Sequence, residues 1–392
     1  MRQIKQNAIR NSVKNLCFYT GLLIEIAIVI IDKSTFLNSY EGKLFRLSFL
    51  LFGTAMLMEH YTKRERITIV LFGLLGVVSY GLTGRNEIIR IVVFVAACKE
   101  MDMDKVMKVL FWATLAGCIA IVCASVMGLF GELSLTQKYE GVGIDTRYTF
   151  GMGHPNTFHS MVWALMMFGM YIYRYQLKWY IYFILFLGNI GVFFLTKTLT
   201  CLLVAIMTIV LAVFFQYFMK YIKEKWILIC LMLVSIGCII VSVLGAANAS
   251  KVSDFYWGRD KTFSARIFVK LDKLLTGRLL SLACTENAEG TVNTWRLISN
   301  PQSTYYFDLG WVRLFYWYGI IPAIIFLLLL LYLLYFVFKK KDYMAVVMIM
   351  TITVYTVVEA HFVSVYIARN YLLFLLGMYW WQMLPREGEN II

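Results

Sequence analysis

Arg147, His154, Arg278, Asp308, Glu359 and Arg369 stand in polar breaks between long apolar stretches. Carboxylate and imidazole groups transfer protons. Guanidinium groups, permanently charged and able to bind bidentately, suit phosphate. One break reads Arg147-Tyr148-Thr149-Phe150-Gly151-Met152-Gly153-His154-Pro155-Asn156. Proline suits the first position of a helix, so His154 falls at the cap. The dipole field there disfavours imidazolium and leaves neutral imidazole to accept or relay a proton. A glycine-rich turn capped by histidine would be spelled the same way. Farther on, Thr262 to Leu280 has helical periodicity, with Arg266, Lys270 and Lys273 on one face and Ile267, Phe268, Leu271, Leu274 and Leu275 opposite. That pattern predicts a basic amphipathic helix lying along a membrane surface. Arg278 falls on its apolar side, after Thr276-Gly277, where a cation must snorkel or meet an anion. Tyr305 to Arg313 carries Asp308, a candidate general base that would serve equally as a helix cap. The last break holds Glu359, His361 and Arg369-Asn370, with Arg369 one available partner for Glu359. Glu25 and Arg90 lie inside apolar stretches and are expected to snorkel or to form a structural pair.

The elements that must position these groups are apolar. The 392 residues are 60% hydrophobic and 15% charged, with a mean hydropathy of +0.71; a soluble domain carries about a quarter charged residues. Apolar blocks recur from Leu16 to Leu384 at roughly the 17–25 residues that cross a hydrocarbon core. They lack period-two alternation, so helices rather than barrel strands are expected. The expected spans are 16–31, 43–59, 67–83, 85–98, 107–130, 155–174, 179–196, 199–219, 226–247, 312–338, 343–363 and 366–384. The predicted fold is therefore all-α, one polytopic transmembrane bundle over 1–392 with about twelve spans.

With the N-terminus inside, each short inner connection is basic: Lys63, Arg64 and Arg66; Lys99, Lys105 and Lys108; Arg174 and Lys178; Lys220, Lys223 and Lys225; Lys339, Lys340 and Lys341. This bias sets both termini in the cytoplasm. It leaves 131–154 and the long segment 248–311 as outer loops. The same bias accounts for a net charge of +14, from 37 basic and 23 acidic residues, without a nucleic-acid partner. No small-residue cleavage site follows Arg2, Lys5, Arg10 and Lys14 before Asp32-Lys33, so the first helix is expected to be retained. The eight cysteines give neither a disulfide framework nor zinc spacing. Neither a metal nor a cofactor is expected.

Phe150 to Asn156 resembles the outer-loop motif of Wzy-type polysaccharide polymerases of Gram-positive bacteria. Leu274-Leu275-Thr276-Gly277-Arg278-Leu279 resembles their "SGR" segment. Asp308 to Pro322 resembles the segment ending in Tyr318-Gly319-Ile320, and Glu359 to Asn370 fits their penultimate outer turn. The resemblance covers residues 140–375. It implies a multi-pass protein of the bacterial cytoplasmic membrane with the GT-C-like helical architecture shared with O-antigen ligases. The implied reaction transfers a growing glycan from undecaprenyl diphosphate to a hydroxyl of the next lipid-linked repeat unit, with neither a nucleotide donor nor a metal. Flippase and chain-length regulator proteins are implied partners, together with membrane lipids.

Carried over to this sequence, the resemblance implies Arg278, Arg147 and Arg369 at the diphosphate, Asp308 or His154 as the base, and Glu359 with Arg369 orienting the others. Asn156, Lys197, Arg266 and His361 are expected in support. Ligases of the superfamily commonly carry a histidine eleven residues before a glycine. Here Asp308 holds that place relative to Gly319, Leu309 replaces a polar neighbour and Pro322 a second glycine. These departures favour a polymerase over a ligase and leave Asp308 and His154 as alternative bases. The family's "SR" turn reads Thr196-Lys197-Thr198, which makes Lys197 the candidate substitute. A ligase, a flippase or transporter of lipid-linked sugar, and a membrane acyltransferase are the rival classes. The lack of two related halves weighs against a transporter, and the long one-sided loop favours catalysis.

Overall fold

A continuous apolar stretch at bilayer depth must satisfy its own backbone, which a helix does within one segment. The computed structural model describes residues 2–139, 143–285, 288–298, 305–360 and 363–384. Its helices are α1 Arg2–Lys33, α2 Glu41–Leu57, α3 Lys63–Thr83, α4 Glu87–Ala97, α5 Met103–Val126, α6 Pro155–Ile172, α7 Trp179–Thr196, α8 Leu199–Val213, α9 Glu224–Ala247, α10 Ala249–Tyr256, α11 Phe263–Leu274, α12 Arg278–Ala283, α13 Gly310–Tyr318, α14 Ile320–Lys339, α15 Tyr343–Tyr355 and α16 Tyr371–Met383.

Among the described residues, 7 helices are long and apolar enough to cross a membrane: α1, α3, α5, α7, α8 with its extension to Tyr221, α9 and α14. Of the other expected spans, 155–174 holds α6 with 18 residues, and shorter helices occupy the rest, among them α4 with 11 residues and α15 and α16 with 13 each. At 1.5 Å per residue α4 is only about 17 Å long. Such helices survive inside the bundle because protein rather than lipid surrounds their ends. Met344 to Thr353 of α15 are all buried, whereas α3 turns Leu71, Leu74 and Val77 outward.

Inside the bundle Glu25 and Arg90 form a structural pair rather than snorkelling apart. Arg90 Nη2 donates to Glu25 Oε1 at 3.0 Å, Ser48 donates to the same oxygen at 2.6 Å, and Arg90 Nη1 reaches Val365 O at 2.9 Å. Glu25 is fully buried, and a charge so placed persists only when paired and hydrogen-bonded.

Side-chain bonds sort the connections into two sets. Lys99–Glu65 (2.6 Å), Arg174–Asp104 (3.1 Å) and Tyr379–Asp342 (2.6 Å) join connections at one end. Tyr366–Asp32 (2.7 Å) and Asn156–Glu359 (2.8 Å) join connections at the other. Helices such as α5, of 24 residues, hold the two sets about 36 Å apart.

The all-α expectation needs one correction. Within 131–154, β1 Ser134–Tyr139 pairs antiparallel with β2 Gly143–Tyr148, setting Leu135 opposite Arg147 and Gln137 opposite Asp145. Alternating polar and β-branched residues suit a solvated hairpin. A second correction concerns the amphipathic helix, expected to run unbroken to Leu280. It stops at Leu274, because Thr276 and Gly277 both take positive φ (56° and 81°), and α12 starts afresh at Arg278. Gly277 adopts that conformation without the steric penalty other residues pay.

Candidate functional site

The break at Thr276-Gly277 is what aims Arg278. Asp272, 2% exposed, lies near the end of α11 and accepts the backbone N–H groups of Leu279 at 2.7 Å and Leu280 at 3.0 Å. A carboxylate on the first turn of a helix satisfies donors that have no partner within the helix and complements the dipole. Asp272 thereby locks the start of α12 and turns Arg278 away from the apolar stripe where simple periodicity put it.

Arg278 Nη2 donates to Glu359 Oε1 at 2.5 Å, and Arg278 Nε stands 3.8 Å from Asp308 Oδ2. Its Nη1 donates to Leu275 O at 3.2 Å and to the Thr276 hydroxyl. Glu359 Oε1 also accepts from Asn156 Nδ2 at 2.8 Å, and Asn156 Oδ1 accepts from the Cys201 thiol at 2.8 Å. The expectation that Glu359 has Arg369 available is thus overturned in favour of Arg278.

Asp308 does not cap α13; Leu309 holds that position without a side-chain bond. The Asp308 side chain is 47% exposed and faces Arg278. Two features tie its loop to the Glu359 turn. Gly310 N donates to Thr356 O at 3.0 Å, with the chains so close that a Cβ on Gly310 would lie 2.8 Å from Glu359 O. Arg313, 1% exposed, donates to Phe307 O and, at 3.3 Å, to Val363 O. Its guanidinium lies 3.6 Å from the Tyr306 ring centroid, a stacking contact suited to a desolvated arginine. Arg313 was quoted in the sequence only as a neighbour of Asp308. A permanent cation inside a tryptophan- and tyrosine-rich helix was the available signal that it mattered.

His154 is the N-cap of α6, followed by Pro155 at the first helical position, as the spelling predicts. Its Nδ1 accepts the Asn156 backbone N–H at 3.1 Å. An amide can only donate, so the Nδ1 lone pair is committed and the neutral ring carries its hydrogen on Nε2. Desolvation pulls the imidazole below its ordinary value of 6.5; the Asp308 charge opposes this and the Arg147 charge reinforces it. His154 is therefore a neutral donor within the fields of Asp308 and Arg147.

The remaining expected residues divide. Arg147 Nε lies 3.3 Å from Asp145 Oδ2, and Lys197 pairs with the other oxygen of the same carboxylate. These bonds, that from Lys197 foremost, hold Asp145 below the usual carboxylate range. Lys197, itself at a left-handed φ of 53° at the end of α7, tethers the hairpin that bears Arg147. Arg369 Nη1 stands 3.8 Å from Asp32 at the end of α1. Arg266 is exposed on α11, apart from the cluster. His361 lies outside the described residues. Sequence reasoning missed Asp32, Lys33 and Asp272. Asp32-Lys33 had been read only as the end of the first span.

Among the described residues no group of three His, Cys, Asp or Glu side chains is placed to hold a metal ion. A cleft of about 800 Å³ opens at the opposite end beside Lys99, Asp104 and Arg174, where Lys99 pairs with Glu65 and Arg174 with Asp104. Chemistry-bearing groups with exposed reactive atoms instead gather around Arg278. No family model matches the sequence, and no curated protein or solved structure is significantly similar to it.

Proposed function

We propose that this chain is a membrane glycosyltransferase of the Wzy-type polymerase kind, extending a cell-surface polysaccharide from undecaprenyl-diphosphate-linked repeat units. In this reading the twelve helical segments cross a bacterial plasma membrane in a GT-C-like arrangement, both termini are cytoplasmic, and the Arg278 cluster faces outward. The observation that carries the proposal is the Arg278–Asp308–Glu359 constellation, assembled from three separate outer segments. Each of those segments also carries one of the motifs that resemble that family.

The chemistry follows from the two carboxylates and the histidine. Asp308 faces Arg278 and is accessible, whereas the His154 lone pair is engaged by a backbone amide. Asp308 therefore takes the acceptor hydroxyl's proton and His154 donates a hydrogen bond from Nε2. The hydroxyl oxygen bonds to the anomeric carbon as that carbon's bond to the diphosphate oxygen breaks. The electron pair leaves with the diphosphate, and the proton held by Asp308 passes to the released diphosphate or to water. Arg278, Arg147 and Arg369 are the cations available to offset charge growing on the leaving group. Glu359, fixed by Asn156, holds Arg278 in place.

Reconstitution with lipid-linked repeat units tests the proposal. A ladder of lengthening products is expected. A single transfer to a different acceptor would indicate a ligase, and movement of the lipid across the membrane without bond formation a flippase. Arg278→Ala should abolish elongation while membrane insertion persists; chain length equal to wild type in that variant removes Arg278 from the mechanism.

A further inference from the structure

Between Tyr305 and Leu309 the chain is not helical, yet it is pinned at three points. Trp317 Nε1 donates to Tyr305 O at 3.2 Å, Arg313 Nη2 donates to Phe307 O, and Gly310 N donates to Thr356 O at 3.0 Å. From Tyr306 onward the side chains alternate outward and inward, as they do along a strand. Phe307 and Leu309 are buried, whereas Tyr306 and Asp308 are not. Tyr306 and Asp308 therefore share the outward side, and two residues of chain separate them by at most about 7 Å.

The Tyr306 ring is held. The Arg313 guanidinium lies over it, 3.6 Å from the centroid. That guanidinium is itself fixed by the carbonyls of Phe307 and Val363 and by the Trp317 ring, 4.7 Å away. A ring backed on one face and still 58% exposed presents its other face outward. The result is a rigid aromatic plate beside the proposed base. Aromatic residues also gather at membrane interfaces, but that role calls for neither a buried arginine behind the ring nor an exposed carboxylate two residues away.

The face of an aromatic ring is negative. A pyranose carries C–H bonds on its faces, polarised positive by the neighbouring oxygens, and keeps its equatorial hydroxyl groups at the ring edge. A sugar laid on the Tyr306 ring thus extends a hydroxyl sideways, in the direction that Asp308 occupies. A plate fixed before binding costs little ordering when the sugar arrives.

We infer that Tyr306 is the stacking platform for the acceptor pyranose, taken through a face free of axial hydroxyl groups, and that its position relative to Asp308 selects which hydroxyl is deprotonated. The inference rests on the proposed polymerase reading, which assigned proton and phosphate contacts but no sugar contact.

The test is saturation-transfer NMR of the full chain in nanodiscs with the lipid-free repeat-unit oligosaccharide, released by mild acid from the lipid-linked substrate. In wild type, saturation should reach the ring C–H hydrogens of one pyranose more than those of the others. Y306F keeps the ring and should keep the effect. Y306L removes the ring while still covering Arg313, and should reduce transfer at least about fivefold, the worth of one aromatic stacking contact. In reconstituted elongation Y306L should raise the half-saturating acceptor concentration by a similar factor and leave that of the donor unchanged. Absence of transfer in wild type, or transfer undiminished in Y306L, overturns the inference. An equal loss in Y306F also overturns it, assigning the effect to the hydroxyl instead of the ring face. So does a Y306L variant that lowers Tm and shifts donor and acceptor alike, which leaves Tyr306 as a cover for Arg313. If transfer is lost as expected but reconstitution yields no ladder, the sugar site stands and the polymerase reading fails. A ladder whose acceptor dependence and saturation transfer are unchanged in Y306L does the reverse.

Discussion

Arg278 and Glu359, 81 positions apart in the chain, share a 2.5 Å hydrogen bond between side chains only 15% and 13% exposed. Losing either partner strands a partly buried charge, at a cost of up to about 3 kcal/mol. Arg278→Ala and Glu359→Ala should each lower Tm, and the double variant should lose less than the sum of the two, with a coupling of about 0.5–3 kcal/mol. Strict additivity in thermal unfolding would mean that the pair does not couple.

Asp272 should matter for a reason unrelated to substrate contact. Asp272→Ala leaves the amides of Leu279 and Leu280 without their acceptor, a cap loss of about 1–2 kcal/mol. It should also misdirect Arg278 and so depress elongation. Asp272→Asn keeps an acceptor oxygen in the same place and should retain most of both properties. Equal losses in the two variants, measured as Tm and ladder length, would assign the effect to charge instead of hydrogen bonding.

Gly310 offers a way to move the Asp308 loop against the Glu359 turn without changing any charge. A Cβ there would lie 2.6 Å from Thr356 Cγ2, 2.8 Å from Glu359 O and 2.9 Å from Thr356 O. Two of these atoms belong to the backbone and cannot rotate away. Gly310→Ala is expected to cost about 1–3 kcal/mol and to reduce elongation disproportionately. Wild-type rates from this variant would show that the spacing of the two carboxylates is unimportant.

The lowered pKa of His154 has a pH signature. The unfolded chain, with an ordinary imidazole near 6.5, binds the proton more readily than the folded one, so folded stability rises with pH across that window. The contribution is present above pH 6.5 and is lost as pH falls from there through the lowered native value. His154→Asn, which still caps a helix well, should flatten this component of Tm against pH. An unchanged profile would place the titration elsewhere.

The motif segments already announced much of the site. Pro155 after His154 foretold the helix start, and the polar breaks identified Arg278, Asp308 and Glu359 because charge next to a bilayer-length apolar stretch requires a reason. Pairing among them was not legible. Glu359 had Arg369 ten residues away in the same turn, yet it bonds Arg278, because Gly310 and Arg313 bring two loops together and Asp32 draws Arg369 aside. The hairpin at 134–148 escaped notice because its two strands are short, polar and next to a loop, with no buried face to impose a pattern.

By itself the sequence determined that this chain is a membrane-embedded helical protein and which side chains stand at helix mouths, because hydrophobic length and the backbone's own hydrogen bonds act locally. Only tertiary structure decided which lysine, arginine and carboxylate share a site. The Arg278–Glu359, Arg369–Asp32 and Glu25–Arg90 pairs join residues far apart in the sequence. Their partners are fixed by how those helices pack, and no periodicity along one segment encodes that.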